Sequence, residues 1–517
     1  MSDRKESAIY AQNHLACRLR AATDDAALFA TLEDGRHESY GDFFAAAERT
    51  AAALVAAGLV PGDRVAVQVE KSLAALHLYL GTVLAGGVFL PLNMAYTPAE
   101  IAYFLGDAEP KVFVCDPAKR EALDEAANAA GVSTLLTLDR DGGGSLAELT
   151  VAQPDGFTAV ARDADDLAAI LYTSGTTGRS KGAMLTHENL ASNALVLRDY
   201  WRFTAADVLI HALPIFHTHG LFVATNVTLM AGASLLFMTR FDADAIVAAL
   251  PRASVLMGVP TYYVRLLEHP GLSRDAAKGM RLFVSGSAPL LSDTHRAWQD
   301  KTGHAILERY GLSETGMNSS NPYDGERRAG TVGFPLPGIE IKITDQESGD
   351  ELGQDQVGAI EVRGPNVFKG YWRKPEKTAE ELRADGFFVT GDLGVFDARG
   401  YLSIVGRSKD LIISGGYNVY PKEIETALDA LDGVVESAAF GLPHPDFGEG
   451  VAAALVLQPG VELGETEVAK ALESELARFK QPKRLYFLEE LPRNAMGKVQ
   501  KNLLRERYAE AFAETPG

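Results

Sequence analysis

Cysteine is nearly absent: Cys17 and Cys115 are the only two in 517 residues. Two thiols make neither a disulfide framework nor a cysteine metal site, so a stapled secreted scaffold is excluded and a reducing cytoplasm is the expected location. Apolar runs of the roughly 20 residues that cross a bilayer are missing as well, which excludes a predicted helical span. The opening Met1-Ser2-Asp3-Arg4-Lys5-Glu6 carries both charges where a signal peptide has its apolar core. Positive charge is scarce, with 49 Lys and Arg against 69 Asp and Glu and a net charge of −20. That balance argues against nucleic acid and against anionic membranes as partners. Repeats and low-complexity tracts are absent too.

What is present is ordinary globular material, 47% hydrophobic and 23% charged. The length exceeds one core, so two or more domains are expected. Helical and strand patterns alternate from the start: residues 43–59 and 72–84 read as helices, 63–69 and 111–115 as strands. The order predicts an α/β fold with a mostly parallel sheet flanked by helices. Residues 255–259 and 281–285 read as two more parallel strands, the second running into the sharp turn Gly286-Ser287-Ala288-Pro289. In open α/β sheets, ligands sit at such carboxyl ends. Short strands with Gly/Pro turns from 330 to 370 suggest a small antiparallel β unit, and 387–394 with 400–407 read as a hairpin. The best boundary is Arg407-Ser408-Lys409-Asp410. It divides a large domain, 1–408, from a small α+β domain, 409–517, with helices expected at 419–431 and 465–479 and strands at 434–442 and 451–457.

The most telling stretch is Tyr172-Thr173-Ser174-Gly175-Thr176-Thr177-Gly178-Arg179-Ser180-Lys181-Gly182, placed between a strand pattern at 167–172 and helical periodicity from His187. Glycines let backbone N–H groups approach phosphate oxygens, hydroxyls donate further bonds, and Lys181 adds a point charge. It is not a Walker A loop, because Ser180 stands at the second glycine. Nor is it a dinucleotide fingerprint, because Thr177 breaks G-x-G-x-x-G. In so acidic a chain, a nucleotide-phosphate loop of this kind concentrates positive charge locally.

Further along, His211-Ala-Leu-Pro-Ile-Phe-His217-Thr218-His219-Gly220 places three histidines within nine positions. A metal reading is disfavoured by Pro214 and by the lack of any acid or thiol in the run; rings lining a pocket are expected instead. Glu308-Arg309-Tyr310-Gly311-Leu312-Ser313-Glu314-Thr315 is a second strand-to-loop junction with an acid, and the loop around Gly497 presents Lys498.

Taken together, these motifs resemble the adenylate-forming superfamily of acyl- and aryl-CoA synthetases, carrier-domain adenylation enzymes and luciferases. The likeness covers nearly the whole chain in order and spacing. The sequence departs from the family at Ser180, where Pro is usual, and at Ser313, where Thr is commoner. The resemblance implies ATP, Mg²⁺ and coenzyme A as cofactor and co-substrates. Thr173, Ser174, Gly175, Thr176, Thr177 and Lys181 would cradle the β- and γ-phosphates. Gly286, Ser287, Ala288 and Pro289, with Glu308, Tyr310 and Gly311, would flank the adenine. Ser313 would bond the α-phosphate, Glu314 would hold the metal, and Asp392 with Arg407 would take the ribose. Lys498 would be the catalytic lysine of a mobile small domain, Lys409 its hinge, and Gly415 and Gly416 the lining of the CoA tunnel.

Within the superfamily, the His211–Gly220 run, Ser285-Gly286-Ser287-Ala288-Pro289 and Leu307-Glu308-Arg309 are most similar to malonyl-CoA synthetases. A short dicarboxylate needs a cation for its second carboxylate, since a buried unpaired charge is costly. Arg309 before Tyr310-Gly311 would clamp it through two parallel hydrogen bonds. Thr218, Ser287 and His217 would contribute around it, His217 also being counted with the catalytic set. Structural pairing of Arg309 with Glu308 is the competing expectation, and Arg296 a second candidate cation. A ligase for methylmalonate or another short acid, or a stand-alone enzyme loading a carrier protein, are the alternatives. The expected partners are small molecules, with the chain a monomer or weak homodimer.

Overall fold

The computed structural model describes residues 9–173, 180–414, 417–445, 447–473, 475–494 and 497–512, the Asn418 side chain excepted. The chain forms two compact units, Met1–Ile341 with Val362–Phe388, and Lys342–Glu361 with Val389–Gly517.

Local chemistry starts the helices of the first unit where the hydrophobic pattern requires them. Ser39 caps Tyr40–Ala56 and Ser72 caps Leu73–Leu84. Thr97 and Thr186 form capping boxes at the heads of Pro98–Ala108 and His187–Tyr200. Leu73–Leu84 is buried almost throughout, which accounts for a sequence with hardly a polar residue.

Two sheets form the first unit. The six-stranded one runs Thr134–Thr137, Val112–Cys115, Arg64–Gln68, Val88–Pro91, Leu167–Thr173 and Lys181–Thr186. All neighbours are parallel except the last two, which pair antiparallel with Thr173 opposite Lys181. Lys181 therefore opens a strand that returns along its predecessor, an element that the sequence pattern did not reveal. The nine-stranded sheet has a parallel centre from Leu307–Leu312 through Leu282–Ser285, Val255–Gly258, Val208–His211 and Ser234–Phe237 to Leu28–Leu32. Antiparallel strands, including Gly316–Ser320, finish its edges. The fold class is α/β as read from the alternation.

The second unit carries most of a four-stranded sheet, in which Phe388–Phe396 and Leu402–Arg407 form the expected hairpin. Its five-stranded sheet centres on the long pair Val434–His444 and Gly448–Leu457, packed by helix Pro421–Asp429. The helix expected over 465–479 stops at Leu472. Val468, Leu472 and Leu476 are buried at a four-residue spacing, but Leu476 reaches the core from a turn. Periodicity thus survived where the helical backbone did not.

Candidate active site

Parallel pairing sets Ser285 opposite Glu308, so Arg309 emerges beside the turn that follows Ser285. Successive strand side chains face opposite ways. Glu308 is taken by His295, with Nδ1 3.1 Å away, and accepts the Gly330 N–H at 3.2 Å. Arg309 points elsewhere: only 4% exposed, it keeps Nε and Nη2 buried with neither an acid nor a hydrogen-bond partner among the described residues. Those two nitrogens offer the parallel pair of N–H groups that matches a carboxylate. Its guanidinium lies against Gly286, where an added Cβ would stand 2.4 Å from Cζ and 2.6 Å from Nε. The glycine is required there because any side chain would displace the cation. Burial pushes the guanidinium down to about 9.

Around Arg309, Ser287 holds a left-handed φ of 73° and its Oγ lies 3.4 Å from His219 Nδ1. Strain of that kind at a non-glycine residue is characteristic of functional sites. Burial, then the Arg309 charge, keeps His219 well below the usual histidine range, so its ring is neutral. His219 Nε2, Thr218 Oγ1 and Ser285 Oγ are also buried without partners. Buried polar atoms are nearly always satisfied, so unpaired atoms of this kind near an uncompensated cation are what an anion-binding pocket would present. His217 is half-buried against Phe216, the ring centroids 4.7 Å apart. Arg296 is 64% exposed and salt-bridged to Asp293 on its own helix, away from any such pocket.

His211 has a different task. Lys71 Nζ donates to its carbonyl at 2.8 Å and to Nδ1 at 3.0 Å, while Nε2 lies 2.9 Å from the Gly220 carbonyl and must donate to it. Burial, then the Lys71 charge, keeps His211 well below the usual range. The pair anchors the start of the π-helical segment His219–Thr225 that presents Thr218 and His219. Among the described residues no group of metal-binding side chains occurs. Lys71 escaped sequence reading because nothing in residues 70–72 hints at a partner 140 positions away.

A second cluster gathers around Glu314, which lies with Ser313 in the tight turn between Leu307–Leu312 and Gly316–Ser320. Opposite the Tyr310–Gly311 step the outgoing strand carries one extra residue, Asn318, as a bulge. The Tyr371 hydroxyl bridges two carboxylates, 3.0 Å from Glu314 Oε1 and 2.6 Å from Glu381 Oε2. Lys181 Nζ lies 3.2 Å from Glu381 Oε1 and 4.2 Å from the centroid of the Tyr371 ring. Burial opposes ionisation of Glu381, yet the Tyr371 and Lys377 hydrogen bonds and the Lys181 charge outweigh it and hold its carboxyl below the ordinary value. Tyr371 and Glu381 were not found from sequence, because their role arises from contacts with residues 57 and 200 positions away.

Thr173 ends its strand opposite Lys181, whereas Ser174, Gly175, Thr176 and Thr177 lie outside the described residues, as do Gly415 and Gly416. Ala288 and Pro289 continue the turn from Ser287. In the second unit, Asp392 and Arg407 are register partners on the hairpin, Arg407 Nε 2.7 Å from Asp392 Oδ1. Lys409 sits in the short turn of helix Ser408–Asp410, its ammonium lowered mainly by burial. Lys498 is exposed on a turn closed by Asn494, whose Oδ1 accepts the Lys498 N–H at 3.0 Å. Arg493 braces that turn from below, donating to the Gly497 carbonyl at 2.5 Å and pairing with Glu436.

The sequence pattern of AMP-binding enzymes matches residues 17–372, and that of the AMP-binding enzyme C-terminal domain matches 423–498. A malonate–CoA ligase of Arabidopsis thaliana is 35% identical over 481 residues, covering 87% of this chain and 78% of that protein. A mitochondrial malonate–CoA ligase of Mus musculus is 36% identical over 474 residues, covering 84% and 80%. Among solved structures, ATP-bound MatB from Rhodopseudomonas palustris is 58% identical with a TM-score of 0.95, covering 97% of this chain and 99% of that one.

Proposed function

The chain belongs to the AMP-binding enzyme family, and on that premise we propose that it ligates malonate to coenzyme A, forming malonyl-CoA, AMP and pyrophosphate. Relatives of that activity and an ATP-bound neighbour support the reading. The observation that carries the choice of acid is Arg309, a buried cation with two parallel donors and no acidic partner among the described residues. A monocarboxylate would leave that charge uncompensated; the distal carboxylate of malonate neutralises it.

One carboxylate oxygen of malonate attacks the α-phosphorus of ATP, and the bond to pyrophosphate breaks, leaving malonyl-adenylate. The CoA sulfur then attacks the acyl carbon and AMP departs. Arg309 fixes the distal carboxylate with Thr218, Ser287 and His219 around it, and His217 stands at the pocket's edge. Thr173, residues 174–177 and Lys181 take the β- and γ-phosphates, and Ser313 the α-phosphate. The 286–289 turn, Glu308, Tyr310 and Gly311 line the adenine, and Asp392 with Arg407 receives the ribose. Lys498 adds positive charge to the crowded anionic transition state. The functional division falls at 408/409 with Lys409 as hinge, and Gly415 and Gly416 admit the thiol arm.

Glu314 fits Mg²⁺, which takes one or two carboxylates and completes its shell with phosphates and water. When bound, the ion neutralises phosphate oxygens during displacement. No helix of the described residues is long and apolar enough to cross a membrane. A cytoplasmic enzyme, monomeric or weakly dimeric and without nucleic-acid partners, is the reading that its acidity and two cysteines support.

The test is pyrophosphate release with ATP and Mg²⁺ across malonate, methylmalonate, acetate, butyrate, benzoate and succinate, with and without CoA. Malonate should be preferred, and malonyl-CoA should appear only with CoA. Preference for a monocarboxylate would discard the Arg309 clamp while keeping the ligase chemistry, and transfer to a carrier protein but not to CoA would favour a loading enzyme.

A further inference from the structure

The segment around residues 366–381 is stapled to both halves of the phosphate site by backbone bonds. Trp372 N–H donates to the Gly182 carbonyl at 2.7 Å, Met184 N–H to Gly370 at 2.9 Å, and Lys369 N–H to Met184 at 2.9 Å. On the other side, Phe368 N–H donates to the Glu314 carbonyl at 2.8 Å. The segment is thus zipped to the strand that begins with Lys181 and to the turn that carries Glu314. It ends in Pro375–Glu381, whose last residue meets Lys181.

Glu381 divides its oxygens between two tasks. Oε2 is held by the Tyr371 hydroxyl at 2.6 Å, which fixes the carboxylate against a buried ring. Oε1 is shared by Lys181 at 3.2 Å and Lys377 at 3.0 Å. If Lys181 leaves, Glu381 keeps both Tyr371 and Lys377, so it is never an uncompensated charge. That makes the exchange energetically accessible, unlike the breaking of an isolated buried pair. Lys181 and Glu381 are 18% and 23% exposed, so the pair is reachable from solvent and of moderate strength.

We propose that Glu381 is a parking counter-ion: it holds the Lys181 ammonium over the Tyr371 ring until a nucleotide triphosphate competes for it, and Lys377, already on the same oxygen, goes on compensating Glu381 once Lys181 has left. The pair then sets the threshold at which a polyphosphate, as opposed to a monophosphate, is captured. Glu381, Tyr371 and Lys377 are positioning residues acting through Lys181. The proposal rests on the reading of Lys181 as a β- and γ-phosphate ligand.

Direct binding of ATP, pyrophosphate and AMP in the presence of Mg²⁺, measured by calorimetry on the full chain, tests it. Glu381→Gln keeps the shape and a Tyr371 contact but removes the competing charge, so ATP and pyrophosphate should bind about three- to five-fold tighter, the size of a partly exposed pair. AMP affinity should stay the same. Lys377→Met, on the surface, should act in the opposite direction and weaken ATP about two-fold, because Glu381 then holds Lys181 more firmly. In a Lys181→Ala background the Glu381→Gln gain should vanish. Weaker or unchanged ATP binding by Glu381→Gln, while Lys181→Ala still weakens ATP, would overturn the parking role alone. Unaltered ATP binding by Lys181→Ala would overturn the phosphate role and the proposal with it. A purely structural Glu381 predicts loss of affinity for AMP and ATP alike.

Discussion

Arg309 and Lys181 are both cations of the first unit, and the fold treats them in opposite ways. Arg309 is buried, with Nε and Nη2 unpaired and no carboxylate to meet it among the described residues. Lys181 is half-open, rests on an aromatic ring and shares a carboxylate with Lys377. An unpaired buried charge gives up stability and needs no competitor displaced when its ligand arrives, so it can supply specificity. A paired, partly exposed charge gives up little and can exchange partners, which suits the phosphate role proposed for Lys181. The contrast fits the roles proposed for the two: a clamp backed by Gly286 at Arg309, and a phosphate ligand at the start of a strand beside an acid at Lys181.

The sharpest way to break this comparison is Arg309→Met. Malonate kcat/KM should fall by roughly 10³, in the range for leaving a buried charge partner unmatched, while a short monocarboxylate is retained or gained. The melting temperature should hold or rise, because an uncompensated cation is replaced by an apolar chain of similar reach. A lower melting temperature with proportionate loss on every acid would make Arg309 a structural residue. Lys498→Ala extends the contrast to an exposed cation: the adenylation rate should drop on the order of 10², with malonate affinity and melting temperature unchanged. Pre-steady-state pyrophosphate release separates these quantities.

Gly286→Ala comes next. Its Cβ would stand 2.4 Å from Arg309 Cζ, so malonate KM should rise about ten-fold through displacement of the clamp, more than ATP KM rises. An unchanged malonate KM would mean that the guanidinium has room to move. The smallest effect is the pH dependence. With its pKa lowered to about 9 by burial, Arg309 is charged below that pH and neutral above it. Malonate affinity should therefore weaken as pH rises through 9, by about two-fold between pH 8 and 9 in direct binding. Without malonate the sign reverses for stability: between about 9 and the ordinary arginine value the unfolded chain holds more protons, so this group's contribution to stability rises with pH. A flat malonate affinity to pH 10 would mean that the guanidinium keeps its charge across that range.

The sequence by itself determined the α/β alternation, the helix over 72–84, the 286–289 turn at a strand end, and Arg309 as a candidate clamp. These depend on neighbours within a few positions or on the alternation of a strand, so the information is local. Tertiary structure alone decided that Glu308 turns to His295 and leaves Arg309 without an acid. It also turned His211 into the core against Lys71 while leaving His219 in the pocket, and it placed Tyr371 and Glu381 between Glu314 and Lys181. Each of those outcomes is a choice of partner among side chains that sequence separation does not rank. Parallel crossovers and strand register bring distant charges within a few ångströms, and in a low-dielectric interior that proximity governs which of them stay unpaired.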